Sequence, residues 1–184
     1  MSYGATMERS APSPAQRRAL RFENFDDVIA DVRQLELGYR QLGNWNLAQT
    51  SDHLARFMRF SLDGFPPGFR MPSPLAWMLR KVVVTPARLQ KPMRPGLPTP
   101  EFLKPSPPAA EQDRRQAEHA AVGRFVEQCR RVKLHGGEFF PSPLLGRLRP
   151  VQWRLLHLRH CENHLGLMVP DDPFSRVAGE GEAG

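Results

Sequence analysis

Apolar residues recur along this chain with the three-and-four spacing of helices. Phe25, Val28, Ile29, Val32 and Leu35 stand at i, i+3, i+4, i+7 and i+10, which places them on one helical face. Asn24 precedes them as a cap, and Asp26 and Asp27 put negative charge where the helix dipole favours it. The pattern predicts that Gly43 closes this helix. A second stripe of Leu47, Leu54, Phe57, Met58 and Ser61 starts near Trp45 and Asn46, and Gly64 followed by Pro66 and Pro67 is its predicted stop. A long third helix is predicted over Ala109 to Val132, with Ala117, Ala121, Val122, Phe125, Val126 and Cys129 on its buried side and His119 on its polar side. The last helix opens at Pro150, where a missing N–H costs nothing, and is predicted to run to about Met168.

Between the second and third helices lies a proline-rich stretch, Pro66 to Pro108, with a short helix predicted at Leu75 to Val84. So long a connection is unusual within a compact domain, and long loops often cover a site. A linker between two domains is the competing reading, but either half alone has too few helices to bury a core. A second irregular connection runs from His135-Gly136-Gly137 through Pro143 to Gly146. No alternating strand and no internal repeat stand out. The expected fold is all-α: a four-helix bundle with a short extra helix in a long crossover. The expected organisation is a flexible leader over 1–21, the bundle over 22–169, and an acidic, glycine-rich flexible tail over 170–184.

Composition narrows the function classes. The 184 residues suit one domain with tails. No apolar run approaches the roughly 20 residues that span a bilayer, so no membrane is expected. Met1 to Arg21 lacks the hydrophobic core of a signal peptide, which makes the cytoplasm the default compartment. Cys129 and Cys161 are too few for a disulfide framework or a thiolate zinc site and are expected to be buried free thiols. The formal charge of +7 comes mostly from arginine, in dispersed pairs such as Arg17–Arg18, Arg56–Arg59 and Arg130–Arg131. Without basic residues interleaved with aromatics, that charge does not make a nucleic-acid binder.

The informative chemistry sits in the last helix. At about 100° per residue, His157, His160 and His164 point within about 60° of one another. Trp153, Leu156 and Leu167 share their side, while Arg159 and Glu162 take the opposite one. Burying several imidazoles is costly unless each finds a hydrogen-bond partner or a metal. His160 and His164 have the i, i+4 spacing that brings two ring nitrogens to one ion, as in helical H-E-x-x-H sites. Cys161 stands where that motif has its glutamate, so zinc-protease chemistry is not supported. A divalent ion wants a third ligand. His53, at the margin of the second stripe beside Phe57 and Phe60, is the best candidate. His157 is the spare: a fourth ligand, an outer-shell group or a proton donor. His135, on a glycine-rich loop, is weaker.

These histidines also carry a resemblance. Asn44-Trp45-Asn46-Leu47, His53-Leu54-Ala55 and Ser61-Leu62-Asp63-Gly64 resemble the second-helix region of the DinB-like (YfiT-type) helical-bundle superfamily. Pro143 to Trp153, with Leu156-His157-Leu158-Arg159-His160 and His164-Leu165, resembles its branch known as domain of unknown function 1569. The resemblance covers roughly Phe25 to Met168. It implies an up-down-down-up four-helix bundle and a three-histidine site for nickel, zinc or a similar divalent ion, mapped to His53, His160 and His164. It also implies thiol-dependent transferase or isomerase chemistry with a low-molecular-weight thiol cosubstrate. The chain departs from better-known members: Leu165-Gly166-Leu167 replaces the Arg-Gly-Gln that often follows the last histidine, and the proline-rich insertion is atypical.

The expected function is a metal-dependent enzyme, a thiol or small-group transferase, with a small-molecule substrate. His157 would manage a proton and Arg159 or Arg56 would hold an acidic thiol. A homodimer is a permitted assembly. The alternatives are a non-catalytic binding or stress-associated bundle with structural histidines, and a nucleic-acid binder.

Overall fold

The computed structural model describes residues 17–67 and 99–171, together with Pro74, Thr85, Leu89, Lys91 and Met93. The short helix expected at Leu75 to Val84 lies outside the described residues, as do residues 1–16 and 172–184.

Four helices and one small sheet make up the described chain. Helix α1, Phe25–Leu37, starts where its cap predicts: the Asn24 side chain accepts from the Asp26 and Asp27 amides, and the Asp27 carboxylate accepts in return from the Asn24 amide. It buries Phe25, Val28, Val32 and Leu35. It ends six residues before Gly43. Gly38, with φ 151°, turns the chain instead and donates its N–H to the Leu35 carbonyl. The residues that follow form strand β1, Tyr39–Gln41.

Helix α2, Leu47–Asp63, carries a reciprocal cap between Asn46 and Gln49 and stops at Gly64, φ 107°. Its first amide, that of Leu47, donates to the Tyr39 hydroxyl at 2.8 Å. Helix α3, Arg114–Leu134, begins later than Ala109, because Ala110 is still extended and a 3-10 turn at Glu111–Asp113 comes first. Helix α4 runs Pro150–Leu165, ending short of Met168, which opens strand β2, Met168–Pro170. The two strands pair antiparallel, Tyr39 with Pro170 and Gln41 with Met168. The expectation of no strand is therefore corrected: at three residues each, these strands show no alternation to read.

The broadest interface is that of α2 on α3; α1 also lies on α3, and α4 touches α1 and α2. Val28, Val32, Leu54, Phe125 and Trp153 are buried at the centre. Surface pairs Arg124–Asp52 and Arg131–Asp63 join α3 to α2. No helix among the described residues is long and apolar enough to cross a membrane.

Helix α4 is covered on both faces. Opposite its histidines, Arg159 (2% exposed) and Glu162 (6%) form an ion pair of 2.6 Å inside the protein. What covers them is the segment Arg17–Phe22, which lies mostly within the expected leader. Phe22 donates its N–H to Glu162 at 2.7 Å and accepts from Arg159 at 2.7 Å. Arg18 donates to the Met168 and Leu165 carbonyls and pairs with both oxygens of Asp31.

Candidate metal centre

Two helices supply the site. His53 occupies the second turn of α2, where Leu54, Met58 and Leu47 pin that face into the core. His160 and His164 lie one turn apart on α4 and face it. One ring nitrogen from each of His53, His160 and His164 falls within 4.8 Å of the others, so the three could hold a metal ion. No carboxylate or thiol joins this group among the described residues.

The geometry is compatible with a bound cation. The His53 Nδ1–H donates to the Leu103 carbonyl at 2.8 Å, which leaves Nε2 bare and pointing at His160. That is the outer-shell arrangement by which ligating imidazoles are oriented. The His53 and His160 Nε2 atoms are 3.1 Å apart. Two ligands of a tetrahedral zinc, each at about 2.05 Å, would be separated by about 3.3 Å. Three imidazoles sharing this space can satisfy at most some of their nitrogens with one another. A borderline divalent ion accepts all three lone pairs.

Aromatic rings wall the group. The Trp45 indole stacks on His164, with ring centroids 5.5 Å apart and planes 8° from parallel, and leans on His53 at 4.9 Å. Phe57 meets His160 edge-on at 4.9 Å. His53 is buried, while His160 and His164 are half-buried, so the group sits just beneath the surface. This setting keeps the imidazoles neutral. Burial pushes all three below the ordinary value of 6.5, His164 to about 3. The neighbouring imidazoles push His160 lower still, Arg56 adds to the effect at His53, and His53 and Arg17 add to it at His164. Neutral rings are the form that ligates.

His157 stands apart from the three. Its ring lies against Trp153 at 5.3 Å and meets Phe57 at 5.1 Å; Phe57 also contacts His160. Ser61 Oγ donates to the Met58 carbonyl at 2.7 Å, so at 2.9 Å it accepts the His157 Nε2–H. Burial holds His157 neutral, down to about 3. Among the described residues the His135 ring meets the Glu138 carbonyl and the Phe139 ring, and His119 pairs with Glu36 on the surface. Arg159, expected to hold an acidic thiol, lies instead on the opposite face of α4, 2.6 Å from Glu162 and donating to the Phe22 carbonyl. Arg56, one turn beyond His53, bonds Lys104 and Ser106, next to the Leu103 carbonyl that fixes His53.

Two parts of the site escape a sequence reading. The Leu103 carbonyl carries no side-chain signal at all. Trp45 does carry one, an aromatic residue just before the histidine-bearing helix, yet only the fold shows it lying over two imidazoles.

Residues 14–171 match a family described as Protein of unknown function (DUF1569). No curated protein matches the chain, and no solved structure does.

Proposed function

The chain belongs to this DUF1569 family, and from the geometry of its site we propose that it is a metal-dependent enzyme built on His53, His160 and His164. The observation that carries the reading is the convergence of three neutral ring nitrogens with no carboxylate or thiol joining them among the described residues. Nickel or zinc suits a set of three imidazoles, and three protein ligands leave a position for substrate. The same arrangement favours the wider DinB-like placement, with the four helices as an up-down-down-up bundle.

The reaction class we propose is thiol or small-group transfer. When bound, the ion would lower the pKa of a coordinated thiol and present it as a nucleophile. The chain's own residues do the rest. The Leu103 carbonyl fixes the His53 tautomer, and Trp45 and Phe57 shield the imidazoles from water. Arg17 and Arg56 place positive charge near His164 and His53, which favours an anionic small-molecule ligand. His157, bonded to Ser61 and held neutral against Phe57 and Trp153, is better suited to packing than to passing protons.

Elemental analysis of untagged protein tests the reading: about one divalent ion per chain is expected, lost in His160→Ala. A second reading rests on the 3.1 Å His53–His160 contact, which taken as an imidazole–imidazole hydrogen bond would make the histidines structural. Metal-free wild-type protein that gains no stability from added zinc or nickel would decide for it.

A further inference from the structure

We propose that the segment Arg17–Phe22 and the Arg159–Glu162 pair beneath it are a positioning device that sets the rotation of α4, and so brings His160 and His164 to the site. The proposal rests on the metal-binding reading above.

A metal site tolerates ligand distances only within about 0.2 Å. A ring nitrogen roughly 6 Å from a helix axis moves by about 2 Å when the helix turns by about 20°. Something must therefore hold α4 against rolling. Its contacts on the histidine side are mostly aromatic and apolar: Phe57 against His157 and His160, and Trp45 against His164. Such contacts are non-directional.

Besides the His157–Ser61 and His53–His160 contacts, the directional bonds among the described residues lie on the other face, and they bracket the ligands in sequence. Arg159 and Glu162 flank His160, and both grip the backbone of the single residue Phe22, one at its C=O and the other at its N–H. Asn163 and Leu165 flank His164. Arg17 donates to the Asn163 carbonyl and side chain, and Arg18 donates to the Leu165 carbonyl at 3.1 Å. The Arg18 amide also bonds the Gly166 carbonyl at 2.9 Å, and its guanidinium ties the segment to α1 through Asp31. The seat is tight: a Cβ at Gly166 would come within 3.0 Å of the Arg18 carbonyl.

Energetics point the same way. A buried ion pair is commonly no more stabilising than apolar residues of similar size, and its best-attested use is to fix register. The Arg159–Glu162 pair is nearly sealed from water, and part of the histidine helix's orientation depends on it.

The test separates positioning from stability. The double variant Arg159→Met with Glu162→Leu keeps the space filled while removing the grip on Phe22. Helical content and melting temperature are read by circular dichroism, and zinc affinity by chelator competition. The expected result is a folded protein whose zinc affinity falls about tenfold to a hundredfold, the range seen when outer-shell partners of ligands are lost. Wild-type affinity in the folded double variant overturns the proposal. If that variant does not fold, Arg18→Ala decides, measured well below its melting temperature beside Val132→Ala, a core truncation in α3 away from the site. A loss confined to Arg18→Ala supports the device; equal affinities in both overturn it. Wild-type protein that takes up no zinc or nickel removes the metal reading itself, and this proposal with it.

Discussion

His157 and His160 sit one turn apart on α4, both neutral, both against Phe57, yet they pose opposite problems. His157 has a dedicated partner for one nitrogen: Ser61 takes its Nε2–H, aromatic rings pack its faces, and its Nδ1 is buried without a partner among the described residues. Among the described residues His160 Nε2 meets the His53 imidazole, and His53 is already committed to Leu103 through its second nitrogen. A buried histidine becomes a candidate ligand when other imidazole nitrogens converge on its own. Burial alone does not distinguish the two.

The comparison breaks first at His160→Ala. Losing one of three ligands is expected to weaken zinc binding by about a thousandfold, about 4 kcal/mol, in a chelator titration. A variant that binds like wild type would erase the distinction. His157→Ala is expected to do the reverse, costing about 3 kcal/mol of unfolding free energy in urea through the cavity left beside Trp153, while zinc uptake persists.

Acid sharpens the contrast. His157 and His164 fall to about 3 in the folded chain, against 6.5 when free, so on acidification the unfolded chain takes up protons first. Metal-free protein should therefore keep this contribution above pH 6.5 and lose it as pH falls from there toward 3, by up to about 1.4 kcal/mol per pH unit for each such histidine. Zinc should raise the melting temperature near neutral pH, and the increment should shrink on acidification, since only neutral rings ligate. Scans across that range check both. The smallest effect belongs to Ser61→Ala: about 1 kcal/mol, from the His157 N–H left without its acceptor, with zinc binding unchanged.

Much of this was legible in the chain. The cap at Asn24, the start of α2 near Asn46, the stop at Gly64 and the proline start of α4 are local signals, and the structure uses each of them. The histidine spacing on α4 and the margin position of His53 are also local, which is why the three candidate ligands could be named together. What stayed hidden depends on contacts distant in sequence. Gly38 rather than Gly43 ends α1 because Tyr39–Gln41 pairs with Met168–Pro170, more than a hundred residues away. Arg17–Phe22 has no apolar period, since guanidinium and backbone bonds hold it, so its burial of Arg159 and Glu162 left no mark in the pattern.

The bond from His53 to Leu103 has one more consequence. Its acceptor is a main-chain oxygen, which every amino acid possesses, so the instruction that selects the imidazole tautomer is written in the path of the crossover and not in any letter at position 103. Substitutions there can drift through residues of similar bulk without altering that instruction. An insertion or deletion that slid the crossover past α2 would revoke it, even with all three histidines in place.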